Sequence, residues 1–205
     1  MYTEVIWFSI RVLHAFSIRG ANMSKVVDAA CFIIDVVNEQ EMGQVSNISI
    51  NKLLYIAQGL SLAKTGKPLF SNQIEAWDKG PVIQRIYHEY KKYADGPIPK
   101  QEYTLDSLND DEQDILLETV ARYGMYSASD LIKLTHAKDT PWALHYLPNV
   151  KEVPIPQDEI KNYFTKNVKL NFYDENRVTK VNVDDLGRLL LPAEIEDAWG
   201  EPDVH

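Results

Sequence analysis

The residues of this chain that could carry chemistry are few and poorly spaced for it. His136 and His145 are nine residues apart, and neither an HExxH-type pattern nor a cysteine accompanies them, so the spacing does not predict a metal site. No GxSxG or P-loop pattern occurs. Glu75, close to Trp77, is a candidate acid–base carboxylate, but no second catalytic group lies beside it in the sequence. We therefore expect no enzyme, no metal and no cofactor.

The histidine and the aromatic residues have a structural interpretation and a binding one. His136 follows Thr135 at a predicted helix end, where a histidine typically hydrogen-bonds a carbonyl or a carboxylate. Five large aromatic residues are expected mostly in the core, namely Tyr55, Trp77, Tyr87, Tyr90 and Trp142. Any part of this set that remained exposed would favour binding of a protein partner.

Composition and charge narrow the class of protein. With 205 residues and 45% apolar residues, the chain predicts one main globular domain with a small appendage. The net charge of −9 disfavours non-specific binding to nucleic acid or to a membrane surface, because both are anionic. Residues 171–205 hold nine acidic and three basic residues, which predicts either a solvated acidic tail or a docking surface for a basic partner. Cys31 is the only cysteine, so a cytoplasmic location is the default expectation.

The first 22 residues stand apart from the rest. Their apolar run is interrupted by Arg11 and His14, so it is too short and too broken for a membrane span. The segment also lacks the basic leader and the cleavage site of a secretory signal. Two interpretations remain open: translation begins at Met23, or the segment is a helix that lies on the domain.

Periodicity predicts that residues 23–166 form a compact bundle of unequal helices. The first helix has an apolar stripe from Val26 to Val37, with Lys25, Asp28, Asp35 and Asn38 expected on the opposite, polar face. The second carries Ile50, Leu53, Leu54, Ala57 and Leu60, with Ser49 or Asn47 as its N-cap and Gly66 after its end.

Local signals mark the later helices. Asn109 and Glu112 form a capping-box pattern, and the helix that they open ends at Gly124. Ser127 opens a short helix, Thr140 with Pro141 opens another, and a last helix follows Pro156.

The stretch Ile74–Tyr87 organises the middle of the chain. It begins as a short extended segment that contains Ala76 and Trp77. Gly80 permits backbone conformations that a Cβ would exclude, and Pro81 suits the first turn of a helix. We therefore expect a helix that begins at Pro81 and buries the apolar residues that follow.

The pattern changes after Lys166. Alternating apolar residues predict strands at Val168–Phe172 and Thr179–Val183, with a third strand over Arg188–Leu191 and a short helix over Pro192–Trp199. The predicted fold class is thus mainly α, a compact multi-helix domain with a small C-terminal β-hairpin and helix in residues 167–205.

Several short motifs follow one another in residues 24–166, namely KLLY with Gln58-Gly59, GKPLF at 66–70, Glu75-Ala76-Trp77, Gly80-Pro81-Val82 with Tyr87, and Leu134-Thr135-His136 with Pro141-Trp142. In their order and spacing these motifs resemble the Panacea antitoxin domain of phage-associated GepA-like and SocA-like proteins. The resemblance implies a helical domain, encoded beside a toxin and often in a prophage, that neutralises the toxin by direct binding. Some members instead deliver their toxin to a AAA+ protease. The resemblance makes ten residues signature or partner-binding candidates: Tyr55, Gln58, Glu75, Trp77, Gly80, Pro81, Tyr87, Thr135, His136 and Trp142.

A second, partial resemblance lies near the C-terminus. Residues 181–195 are similar to the first half of the swapped-hairpin DNA-binding domain of AbrB-like and MazE-like regulators. The region is acidic, and Lys180 and Arg188 are its main candidates for phosphate contacts. The pattern favours a hairpin used for homodimerisation or partner docking over one that reads an operator.

Together these observations predict a cytoplasmic antitoxin without catalytic activity, whose main partner is a cognate protein toxin. The open alternatives are a proteolytic adaptor that also binds a AAA+ protease, and a transcriptional regulator that binds DNA through the C-terminal hairpin.

Overall fold

A computed structural model of the protein describes residues 24–40, 42–101, 103, 106–150 and 152–168, together with the backbone of 182–183 and 189–190. Its helices, in chain order, are α1 (Lys25–Glu39), α2 (Asn47–Thr65), α3 (Gln84–Tyr90), a 3₁₀ turn (Lys91–Tyr93), α4 (Asp110–Tyr123), α5 (Ala128–His136), α6 (Pro141–His145) and α7 (Gln157–Asn167). Its strands are β1 (Glu75–Trp77), β2 (Gly80–Val82), β3 (Asn182–Val183) and β4 (Leu189–Leu190). The predicted mainly α fold class is confirmed.

Helix α2 is the central element of the helical domain. It packs against α1, α3, α4, α5, α7 and β2, so neighbours surround it on nearly every side. Its polar residues are therefore buried together with its apolar ones, and the buried set includes Asn51, Lys52, Gln58 and Ser61. Each of these four side chains hydrogen-bonds within the protein, as burial of a polar group requires.

Residues 26–37 of α1 are buried on every face, and the predicted polar face is wrong for two of its residues. Asp28 and Asp35 are 0% and 2% exposed. The distant segment after α3 covers them: Ser107 donates a 2.6 Å hydrogen bond to Asp28, and Lys100 forms a 2.7 Å ion pair with Asp35. Polar partners supplied from elsewhere in the chain make this burial possible.

Capping residues set most of the helix bounds. The N-cap of α2 is Ser46, rather than Ser49 or Asn47 as predicted, because Ser46 is the residue with extended backbone and Ser49 completes its capping box from the third helical position. The predicted signals at Gly66 (φ 74°), Asn109 and Thr140 are confirmed. Gly66 ends α2 in the left-handed conformation that glycine tolerates.

The stretch around Gly80 forms a β-hairpin, so the prediction of a helix that begins at Pro81 is wrong. β1 and β2 pair antiparallel with Trp77 opposite Gly80 and Ala76 opposite Pro81. The amide of Ala76 points away from β2 and donates to the Val153 carbonyl at 2.8 Å. The lack of an N–H at Pro81 therefore costs no hydrogen bond between the two strands. Helix α3 begins only at Gln84.

A second two-stranded pair lies near the C-terminus. β3 and β4 are antiparallel, with Asn182 opposite Leu190, which agrees with the hairpin predicted there. The other predicted elements after Val168, and the segment 1–22, lie outside the described residues, and the domain boundaries stay predictions. Among the described helices, none has the length and apolar character needed to cross a membrane.

Candidate functional site

A buried lysine lies beneath the β1–β2 hairpin. Lys52, in the second turn of α2, is 1% exposed, and its Nζ donates a 3.0 Å hydrogen bond to the Pro81 carbonyl. Gly80 has φ 101°, and a Cβ there would lie 2.5 Å from Lys52 Cε and 3.0 Å from Thr135 Oγ1. The hairpin can approach both side chains this closely only because position 80 lacks a side chain.

Burial sets the protonation of this cluster. It lowers the pKa of Lys52 to about 7, and the positive charge of Lys79 acts in the same direction. The neighbouring His136 has its pKa lowered to about 4, first by burial and then by Lys52, while a hydrogen bond with the Lys79 backbone opposes the shift. The imidazole is therefore neutral at physiological pH. Its Nε2 is buried and has no hydrogen-bond partner among the described residues.

Five aromatic rings and the β1–β2 turn form a surface that we call the aromatic ledge. His136 stacks on Trp142 at 3.6 Å between ring centroids, and Trp142 stacks on Tyr146 at 4.7 Å. Trp77 packs against Tyr87 at 4.9 Å. The two groups are joined, since Trp142 Nε1 donates to the Trp77 carbonyl at 2.8 Å. Trp142 is buried, whereas the other four rings are partly exposed.

The Glu75 carboxylate lies beneath this ledge and hydrogen-bonds the side chains of Trp77 and Gln84. Glu75 is 5% exposed and accepts a 2.8 Å hydrogen bond from Trp77 Nε1 and two 3.1 Å bonds from Gln84 Nε2. Its acceptor capacity is thus used to orient the Trp77 indole and to join β1 to α3. These bonds give the carboxylate a positioning role.

Three other signature candidates, Gln58, Tyr55 and Thr135, are buried and serve the core. Gln58 receives the backbone amides of Leu69 and Phe70 at 2.9 and 3.1 Å and donates to the Phe70 carbonyl, so it fixes the segment after α2. Tyr55 is buried edge-on against Phe164 of α7. Thr135 is buried and donates to the Leu131 carbonyl at 2.9 Å. Lys180 and Arg188 lie outside the described residues.

The structure also reveals exposed apolar residues that the sequence did not single out. Leu144, Leu147 and Val150 are 65%, 52% and 45% exposed, and they follow Trp142 along α6 and the next turn. We call these three residues the apolar strip. In a short irregular segment, periodicity does not distinguish a solvent-facing leucine from a buried one. The only signal in the sequence was that three apolar residues lie close together after Trp142.

The arrangement is suited to recognition by contact. Within the described residues, no three His, Cys, Asp or Glu side chains are grouped so that they could hold a metal ion. Cys31 is buried beside Tyr90, and burial raises the pKa of its thiol to about 11, which keeps it protonated and unreactive. The aromatic ledge and the apolar strip instead provide aromatic and apolar surface of the kind that protein partners bind.

Comparison with known proteins finds a family whose model matches the part of the chain that holds most of the aromatic ledge. Residues 50–143 match the family model described as "Antitoxin SocA-like, Panacea domain", a range that contains most of α2, the β1–β2 hairpin and Trp142. The chain is also 33% identical over 111 residues to the protein named "Antitoxin SocA" from Caulobacter vibrioides (strain NA1000 / CB15N). That alignment covers 48% of this chain and 58% of the relative, so the chain spans somewhat more than half the length of the curated protein. No solved structure matches the chain.

Proposed function

We propose that this chain, which matches the Panacea domain of SocA-like antitoxins over residues 50–143, is an antitoxin that neutralises a cognate protein toxin by binding it directly. The observation that carries the proposal is that the matched range contains four of the five rings of the aromatic ledge, all except Tyr146. Antitoxins that act by binding require an exposed surface that a partner can cover, and the ledge and the apolar strip supply one.

The chemistry of the buried polar groups supports binding over catalysis. The Lys52 amine and the Glu75 carboxylate are both buried and hydrogen-bonded to the hairpin that carries the ledge. A substrate would have to displace these bonds to reach either group. We therefore assign them the role of holding the recognition surface in shape. A cytoplasmic site of action stays an expectation.

Two other mechanisms stay predictions from the resemblance. Delivery of the toxin to a AAA+ protease would use the same toxin-binding surface and add a second partner. Regulation of transcription would use Lys180 and Arg188, and it would require a dimer formed through the C-terminal hairpin.

The test begins with affinity purification of the tagged full chain from its native host. The protein that copurifies is then expressed alone and together with the chain in a second host. We expect growth arrest in the first case and normal growth in the second. A copurifying protein without toxicity, or a toxin that this chain does not counteract, would contradict the proposal.

The same coexpression in a host that lacks AAA+ proteases distinguishes neutralisation by direct binding from delivery of the toxin to a protease. Direct binding predicts that protection persists there. Loss of protection in that host alone would show that the toxin is removed by proteolysis, and the proposed neutralisation by direct binding would be wrong.

A further inference from the structure

The β1–β2 hairpin is attached to α2 by two consecutive residues of that helix. The Ile83 amide, directly after β2, donates to Asn51 Oδ1 at 2.9 Å, and the Pro81 carbonyl accepts the 3.0 Å hydrogen bond from Lys52 Nζ. Both helix side chains are 1% exposed. The hairpin also lies directly on the stem of the lysine, since a Cβ at Gly80 would be 2.5 Å from Lys52 Cε. The amine is therefore enclosed, and the hairpin is part of what keeps water from it.

The surroundings of the amine offer no negative charge. Among the described residues, the titratable groups that interact electrostatically with Lys52 are Lys79 of the β1–β2 turn and His136 of α5, and neither is an acid. The lowered pKa of Lys52, about 7, agrees with these surroundings.

The carboxylates of the core are engaged elsewhere. The described part of the chain has four buried carboxylates, and each has another partner: Ser107 for Asp28, Lys100 for Asp35, Trp77 and Gln84 for Glu75, and Lys64 and Arg122 for Glu118. Helices α3, α5 and α7, which also pack on α2, contribute no buried carboxylate within their described residues. An ammonium group buried without a counter-charge is strongly unfavourable. The closed hairpin therefore requires the neutral amine.

We propose that Lys52 is a pH-sensitive latch for the β1–β2 hairpin: the neutral amine holds the hairpin on α2, and protonation of the amine favours its release. Release moves Trp77 away from Tyr87 and Trp142, so the aromatic ledge comes apart. The released state is favoured by protonation because water then surrounds the ammonium group, as it does in an ordinary lysine of pKa 10.5.

The expected pH profile follows from the two protonation equilibria. The ratio of released to closed hairpin should increase about 10-fold for each unit by which the pH falls between about pH 9 and pH 8. It should level off below about pH 7, because the amine of the closed state is then protonated as well. The whole change from pH 9 to pH 7 is about 50-fold.

The first experiment follows the Ile83 amide by hydrogen exchange in the full chain between pH 7 and pH 9. Each rate is divided by the intrinsic exchange rate at the same pH and compared with the unfolding of the whole domain in urea. We expect exchange faster than whole-domain unfolding allows, and an increase of about 50-fold from pH 9 to pH 7. A corrected rate that does not change with pH, or one that equals whole-domain unfolding, would overturn the latch.

The second experiment changes the groups that set the profile. K52M should make the corrected rate at Ile83 independent of pH over this range. Because K52M also removes the bond to Pro81, K79M provides a test at an exposed residue. Lys79 lowers the pKa of Lys52, so K79M should move the point at which release levels off to higher pH. K138M, also at an exposed lysine, should not move it. An unchanged profile in K79M, or equal shifts in K79M and K138M, would overturn the latch.

The consequence for the toxin rests on the proposed function. A partner that binds the aromatic ledge selects the closed hairpin, so the purified toxic partner should slow exchange at Ile83 at every pH. A flat pH profile in a chain that still neutralises its toxin would overturn the latch alone. The expected profile in a chain that neutralises no toxin would support the latch and contradict the proposed function.

Discussion

The buried Lys52 makes a specific prediction about stability and pH. Its pKa is about 7 in the folded protein and 10.5 for an ordinary lysine. Between these values the unfolded chain holds a proton that the folded chain has released. Because the unfolded state binds more protons, the free energy of unfolding rises as pH increases through this window. Below the folded pKa both states are protonated, and the cost of burying the charge is fully present.

The size of the effect follows from this difference in pKa. The linkage relation gives a gain of about 2 kcal/mol between about pH 7 and pH 9 from the Lys52 amine alone. Replacement by methionine, which has a similar length and no charge, removes this contribution. The stability advantage of wild type over K52M should therefore grow by about 2 kcal/mol across the same range. His136 titrates on the acid side of this window and does not interfere.

Urea denaturation followed by circular dichroism measures both proteins at several pH values in this range. The raised pKa values of Cys31 and the buried tyrosines are common to both proteins and cancel in the difference. K138M, which removes an exposed lysine, controls for the loss of one positive charge. Parallel curves for wild type and K52M would refute the reasoning, because they would mean that the Lys52 amine remains charged in the folded protein.

Three further substitutions test how the core is built. G59A should destabilise the protein by about 1–3 kcal/mol, because a Cβ at position 59 would lie 2.4 Å from the Phe164 ring. In an F164A background the same change should become neutral. An unchanged cost in that background would contradict the packing of α2 on α7. Q58A removes the three hydrogen bonds to 69–70 and should lower the free energy of unfolding by about 2–4 kcal/mol in urea titrations, with wild-type stability as the contrary result. S46A should cost about 1 kcal/mol in the same assay if Ser46 is the N-cap of α2, and wild-type stability in S46A would contradict this assignment.

Local signals in the sequence predicted much of the helical architecture. Asn109 with Glu112, Gly66, and Thr140 with Pro141 act through hydrogen bonds or backbone preferences confined to a few neighbouring residues, so their effects can be read without the rest of the fold.

The β1–β2 hairpin and the burial of Asp28 and Asp35 were not predicted, because both depend on contacts with distant parts of the chain. Gly-Pro suits both a hairpin and a helix start, and pairing of β1 with the segment around Pro154 selects the hairpin. Asp28 and Asp35 looked solvent-facing because the segment that covers them lies about 60–80 positions away in the chain.

The candidate site was predictable only in part. The resemblance singled out Trp77, His136 and Trp142, which the structure brings together in the aromatic ledge. It did not separate them from Gln58 and Tyr55, which serve the core. The apolar strip was missed, since exposure depends on how α6 and the following turn are held against β1 and α7.

The most direct test of the central claim is an activity assay of the purified toxin titrated with the purified full chain, without ATP or protease. Neutralisation by direct binding predicts complete inhibition near equimolar amounts and recovery of a stable complex. A toxin that stays fully active in the presence of excess chain, and is silenced only when a AAA+ protease and ATP are added, would contradict the account.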